Sequence, residues 1–145
     1  MSARIAAALA FASAAVTLYW TLGGTFGLDT VGGTFEGLAP DRSAGFISLG
    51  ATVVVAKLAA AVLALSLLRR PVRSLPKAAM VGGGLLAVYG AVLVAAGALV
   101  LVGIIDPSGP VDEYALRWHV GFWDLWFVLW GIALARAGWR ARVAV

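Results

Sequence analysis

The order of hydrophobic and polar residues divides the chain into four long apolar stretches separated by polar segments. The stretches run from about 5 to 23, 45 to 68, 78 to 105 and 118 to 135. Each comes close to or exceeds the roughly 20 apolar residues that a helix needs to cross a bilayer. Backbone groups in lipid must pair within their own segment, which favours helices. The pattern predicts an all-α, four-helix transmembrane bundle that forms one domain over residues 1–145.

The composition agrees with this pattern and removes several classes of site. Hydrophobic residues make up 62% of the chain and charged residues 12%, whereas a soluble domain carries roughly 25% charged residues. A soluble globular protein is therefore excluded. The chain has no cysteine and a single histidine, which excludes disulfides, thiolate metal sites and multi-histidine metal sites within one chain. We predict no metal and no cofactor.

The distribution of charge predicts an orientation. The connection between the second and third stretches, residues 69–77, carries four positive charges and no negative charge. Arg4 precedes the first stretch, and three arginines follow the fourth. By the positive-inside rule, both termini and this loop are cytoplasmic. We therefore expect a multi-pass plasma-membrane protein whose positive charges face lipid headgroups, with no nucleic-acid partner.

Two features near the start of the chain leave alternatives open. Ala12-Ser13-Ala14 is similar to the small-residue cleavage site of a signal peptide. The apolar character continues past it to Leu22, so we expect the first helix to be retained. The outer loop 24–44 contains five glycines and is either a lid over the outer mouth or a connector. The second outer loop spans 106–117.

Small residues indicate where the helices approach one another closely. In membranes, small side chains let two backbones come together. Gly83, Gly90 and Gly97 recur every seven residues and predict a contact seam on the third helix. Small residues also share the helical faces of Lys57 and Asp124, so both charged side chains are expected to point into the bundle.

Lys57 and Asp124 are the two ionisable residues well inside the apolar stretches. An ionisable residue inside a membrane is by default a functional-site hypothesis. Lys57 lies twelve residues before Arg69, and Asp124 lies twelve residues before Arg136. At 1.5 Å per residue, each lies ~18 Å above its arginine. We therefore expect the two charges to meet at one depth as an ion pair.

The same count from the other helices adds uncharged polar residues to this level. It selects Tyr89 on the third helix and Thr17 on the first, with Tyr19 and Trp20 less than a turn above. These residues form a predicted polar layer with the charged pair. Two interpretations stay open: a structural ion pair that fixes the packing, or a site for a ligand or a proton.

The fourth helix is rich in aromatic residues and holds the single histidine. His119 precedes Asp124 by five residues, which turns their side chains ~140° apart on an α-helix. A hydrogen-bonded pair within this helix is therefore not expected, and an interfacial role for His119 is favoured. Trp126 lies too deep for an interfacial belt, which leaves a cavity, lipid or another subunit as its surroundings. The pattern predicts no catalytic constellation.

Two segments carry a family resemblance. Residues 18–24, LYWTLGG, and 122–127, FWDLWF, resemble the two signatures of a bacterial family of small membrane proteins, domain of unknown function 3995, common in actinobacteria. A histidine often precedes the first signature in that family, where this chain has Thr17. The resemblance implies four helices and no assigned reaction. It selects Tyr19, Trp20 and Asp124 as positions to test.

Three functions are compatible with these features. The first is a module that binds or transports a small apolar or cationic molecule near Asp124, framed by Trp20, Tyr89 and Trp126. The second is an accessory subunit of a membrane complex, with Trp126 and Trp130 facing outward. The third is a membrane enzyme acting on a lipid or isoprenoid. Besides the bilayer, the expected partners are a second copy of the chain or another membrane subunit.

Overall fold

The computed structural model describes residues 1–69, 72 and 74–143, with the backbone alone at 34 and 35. Within these residues the secondary structure is helical: α1 Ser2–Thr21, α2 Gly33–Leu38, α3 Ala44–Ser66, α4 Ser74–Leu101, α5 Glu113–Trp118 and α6 Asp124–Val143. A 3₁₀ turn covers Leu28–Thr30, and a π-helical segment, His119–Trp123, joins α5 to α6. Part of the predicted cytoplasmic loop, namely 70, 71 and 73, lies outside the described residues.

Four of these helices are long and apolar enough to cross a membrane: α1, α3, α4 and the composite helix Glu113–Val143. The predicted number and type of long helices are confirmed. Their ends differ from the hydropathy limits for local reasons. Helix α4 ends before Gly103, whose φ of 73° leaves the right-handed region. Helix α6 continues beyond residue 135 because alanine and arginine favour helix even where the chain is no longer apolar.

The long helices pack as two close pairs. Helix α1 lies along α3, α4 lies along α6, and α1 also contacts α6. Helix α3 approaches α4 and α6 at few points only. Small residues at heptad spacing line the buried face of α1 and allow this contact on two sides: Ala3, Ala7, Ala10, Ala14, Thr17 and Thr21.

Glycines bring the backbones of α4 and α6 together. Gly83, Gly90 and Gly97 are all buried on α4. A Cβ atom at Gly90 would lie 2.6 Å from the carbonyl oxygen of Asp124. A Cβ atom at Gly131 would lie 2.6 Å from the carbonyl oxygen of Gly83. The seam predicted on this helix therefore contacts α6 at Gly83 and Gly90, and it contacts Leu116 of α5 and Val120 of the π-helical segment at Gly97.

The two ends of the bundle differ in packing. At the end that carries both termini, α1, α3, α4 and α6 form one buried cluster of mostly small residues around Trp130 and Leu134. The other end, called here the loop end, carries residues 22–43 and 102–112. There α3 separates from α6, and a cavity occupies the space between them.

Candidate functional site

The cavity at the loop end has a volume of about 240 Å³. Helix α1 forms its back wall, α3 and the π–α6 segment form its sides, and one residue after the 3₁₀ turn covers it. Its lining is Ser13, Val16, Thr17, Trp20, Val31, Leu49, Val53, Lys57, His119, Trp123, Trp126 and Phe127. Among the described residues of this lining, Lys57 and His119 are the titratable side chains, and none is a carboxylate.

The ammonium group of Lys57 is bound to helix α1. Its Nζ donates to Thr17 Oγ1 at 2.7 Å and to the carbonyl oxygen of Ser13 at 3.3 Å. The Thr17 hydroxyl donates in turn to the same Ser13 carbonyl at 3.1 Å. Across the described residues, no carboxylate lies within ion-pair distance of Lys57. The ammonium therefore borders the cavity without a counter-ion from the described chain.

The predicted ion pair between Lys57 and Asp124 is wrong. Equal depth along two helices does not bring side chains together unless the helices also face each other. Helix α3 packs on α1 and hardly touches α6, so the Lys57 side chain reaches α1 and not Asp124. Residue counts give the depth of a side chain along its own helix, whereas its partner depends on which helices are neighbours.

Asp124 instead binds His119 on its own helix. The Asp124 side chain is 7% exposed, and its Oδ1 lies 3.1 Å from His119 Nδ1. The expectation that these two side chains diverge is therefore wrong. Residues His119–Trp123 form a π-helical segment, in which i→i+5 hydrogen bonds replace i→i+4. The wider turn brings residues five apart onto one face.

His119 also contacts Val31, the residue after the 3₁₀ turn that covers the cavity. Its Nε2 lies 3.0 Å from the carbonyl oxygen of Val31. A carbonyl accepts only, and an ionised carboxylate accepts only. Both contacts are hydrogen bonds when a doubly protonated ring faces an ionised Asp124. They are also satisfied when a neutral ring donates to Val31 and accepts from a protonated Asp124.

The tryptophans around the cavity have their indole N–H groups bonded to other parts of the chain. Trp20 Nε1 donates to the carbonyl oxygen of Phe26 at 3.0 Å, and Trp123 Nε1 donates to Thr30 Oγ1 at 3.0 Å. Trp126 Nε1 donates to the carbonyl oxygen of Leu9 at 3.2 Å. Trp20 and Trp123 meet edge to face, with ring centroids 5.3 Å apart. The walls are therefore largely apolar, with their polar edges already occupied.

A second recess of about 670 Å³ lies next to the cavity toward the loop end. Val16, Trp20 and Trp123 line both spaces, so these three side chains form the wall between them. Tyr19 lines this recess and not the cavity, and its hydroxyl accepts from the backbone N–H of Phe26 at 3.4 Å.

Two aromatic residues lie elsewhere than the sequence indicated. Tyr89 is 55% exposed and stands against Phe127 with a centroid distance of 5.9 Å. It does not line the cavity, because that face of α4 is turned away from α1 and α3. Trp130 is only 4% exposed, within the buried cluster. An outward-facing surface built from Trp126 and Trp130 is therefore wrong.

Sequence reasoning missed the backbone and loop contributions to the site. Val31 and Ser13 act through their carbonyl oxygens, and a carbonyl is present at every position. Thr30 lies in a glycine-rich loop without a helical period that could place it. Buried Leu28 and Thr30 show that this loop packs against the bundle. We call residues 28–31 the covering segment.

The model of one protein family matches this chain over residues 10–134 and carries the description "protein of unknown function (DUF3995)". No curated protein and no solved structure matches the chain.

Proposed function

The chain belongs to the DUF3995 family, whose description names no activity, and we propose from the cavity alone that the protein binds a small, mainly apolar molecule. The observation that carries this proposal is the cavity of about 240 Å³ with aromatic walls and Lys57 at its edge. Ligand sites are typically apolar clefts with a few placed polar groups. A cation beside Asp124 is not part of the proposal, because that carboxylate is occupied by His119.

The proposal places this binding site within a membrane. Four helices have the length and hydropathy of membrane spans. Most of the basic residues lie toward the terminal end, with Arg42 and Arg117 as the two at the loop end, where the acidic residues outside the spans also lie. By the positive-inside rule, the termini are cytoplasmic and the loop end faces outward across the plasma membrane. The cavity then lies in the outer half of the bilayer.

We further propose that the cavity exchanges its ligand with the outer recess, as a transport module requires. The two spaces share a wall of Val16, Trp20 and Trp123. The indoles of the wall are bonded to residues 26 and 30 of the loop. Movement of that loop would therefore move both rings and open the path between cavity and recess.

Filling the cavity tests the proposal. The protein is placed in phosphatidylcholine nanodiscs and titrated with 2-naphthamide, and quenching of tryptophan fluorescence is corrected with empty nanodiscs. Val53 lines the cavity, so Val53→Trp should weaken binding by about tenfold or more, since it occupies the ligand's volume. Val55 is 65% exposed on the same helix, and Val55→Trp should bind like the wild type. Equal affinity of the two variants would contradict the proposal.

A further inference from the structure

We infer that the cavity selects a compact carboxylic acid in its ionised form, with the carboxylate on Lys57 and the apolar body against the tryptophan rings. This inference rests on the proposed binding function and specifies its ligand class. It starts from one observation: the chain supplies Lys57 with hydrogen-bond acceptors but, within its described residues, with no negative charge.

The charge of the site favours an anion. Both acceptors of Lys57 belong to α1 and are uncharged. Asp124 is turned to His119 and is absent from the lining, and the remaining titratable lining residue is His119 itself. In surroundings of low polarity an unpaired ammonium attracts an anion strongly and repels a cation. A ligand with one negative charge therefore supplies the missing counter-ion.

The donors left in the lining suit a carboxylate better than a phosphate. Lys57 Nζ has three N–H groups, and two are used. Ser13 lines the cavity, and its hydroxyl makes no hydrogen bond within the described part of the chain. The three indole N–H groups are bonded outside the cavity. Two free donors match two carboxylate oxygens, whereas a phosphate dianion would leave oxygens and charge unpaired.

The size of the cavity limits the rest of the ligand. Its volume of about 240 Å³ is slightly below the usual range for ligand pockets, about 300–1,000 Å³. An acid with a bicyclic aromatic body or a short aliphatic chain is of suitable size, and a two-chain phospholipid is not. Trp20, Trp123 and Trp126 in the lining favour an aromatic body, because aromatic rings pack well against one another in stacked or edge-to-face contacts.

A series of probes with the same body and different charge tests the inference. 2-Naphthoic acid, which is ionised at neutral pH, is compared with neutral 2-naphthamide and cationic 2-naphthylmethylamine in phosphatidylcholine nanodiscs. Octanoic acid and octanamide form a second pair of probes. Comparing the two acids shows whether the cavity prefers an aliphatic acid, such as one released from lipid, or an aromatic acid dissolved in water. We expect the affinity for each acid to be at least about tenfold higher than for its amide, because the carboxylate adds a charge-assisted hydrogen bond with the Lys57 ammonium.

Variants at the two lysines assign the preference to one residue. Lys57→Met should abolish the advantage of the acid over its amide, which is read as the ratio of the two affinities within this variant. Lys57→Arg keeps the positive charge and should keep the preference. Lys77→Met removes an exposed lysine at the terminal end of α4 and should have no effect.

The outcomes separate failure of the proposed ligand class from failure of the proposed binding function. Equal binding of acid and amide by the wild type, or preference for the amine, would overturn the inference even if no Lys57 variant folds. The binding function would stand in that case if Val53→Trp still blocks the amide. Absence of binding by every probe would overturn both the inference and the proposed function.

Discussion

The imidazole of His119 connects helix α6 to the covering segment, because its nitrogens face oxygen atoms of Asp124 and Val31. A neutral imidazole has one donor and one acceptor. Both of its contacts are therefore hydrogen bonds only if the partner at position 124 donates to Nδ1 or if the ring carries a second proton. The side chain at position 124 thus helps to orient the ring and to place its proton on Nε2, where it is donated to the covering segment.

Replacement of Asp124 by two different residues tests this link. In Asp124→Asn, the amide NH₂ can donate to Nδ1, and Nε2–H remains available for Val31. In Asp124→Leu, nothing orients the ring. We expect the covering segment of Asp124→Leu to exchange amide hydrogens about fivefold faster, the equivalent of one lost buried hydrogen bond. Asp124→Asn should exchange like the wild type, as measured by hydrogen–deuterium exchange.

A surface variant serves as the control for this measurement. Glu113 pairs with Arg117 close to the covering segment, with both side chains about 70% exposed (72% and 70%). Exposed pairs contribute little to stability, so Glu113→Gln should leave exchange unchanged. Wild-type exchange in both Asp124 variants would refute the link through His119.

At the scale of helices, α4 and α6 approach so closely that glycine is required on both. The backbone of α6 lies against Gly83 and Gly90, and the backbone of α4 lies against Gly131 and Gly138. Contacts of this kind gain van der Waals energy that larger side chains would prevent. The contact at Gly90 also positions the backbone of Asp124, because the carbonyl oxygen of Asp124 faces Gly90.

Alanine substitutions on α4 separate packing from helix propensity. In Gly90→Ala the new Cβ meets the carbonyl oxygen of Asp124 at 2.6 Å, so the helices must separate. We expect a loss of about 1–3 kcal/mol in the free energy of unfolding. Gly82→Ala places its Cβ where no atom lies within 4 Å and should stabilise by about 0.5–1 kcal/mol. Denaturation in detergent measures both. If the Gly90→Ala protein were as stable as the Gly82→Ala protein, the close packing of α4 against α6 at Gly90 would be contradicted.

At the scale of the molecule, α3 is held to the bundle through α1 and not through a charge on α6. Lys57 contributes to this attachment by its bonds to Thr17 and Ser13. The cavity exists because α3 and α6 separate at the loop end, where the covering segment and the tryptophans fill only part of the space.

A double-mutant cycle distinguishes this arrangement from a pair between α3 and α6. The cycle combines Lys57→Met with Asp124→Leu, and unfolding is measured in detergent. Because the two side chains share no partner, their effects should add within about 0.5 kcal/mol. Rescue of Asp124→Leu by Lys57→Met, with a coupling of about 3 kcal/mol, would indicate a direct buried pair and would refute the arrangement.

The sequence by itself determined the number and type of the long helices, because twenty apolar residues in a row are compatible with few other structures. It also determined the close approach along Gly83, Gly90 and Gly97, since glycine spacing follows the helical period. Depth along the helices selects Lys57, Thr17 and Trp20, and the structure gathers these residues around the cavity together with Trp126 and with His119, for which the sequence favoured an interfacial role. Tyr89 shared their depth and faces elsewhere.

Only the tertiary structure decided which of these side chains meet. Residue counts give the depth of a group along its own helix but not the helix that lies opposite. They therefore predict Asp124 as the partner of Lys57, whereas the structure places Lys57 against α1. The π-helical segment turns His119 toward Asp124. A π-helical turn holds about one residue more than an α-helical turn, and the hydropathy pattern does not reveal this difference. The carbonyl oxygens of Ser13 and Val31 complete the site; the backbone is the same at every position, so only folding distinguishes them.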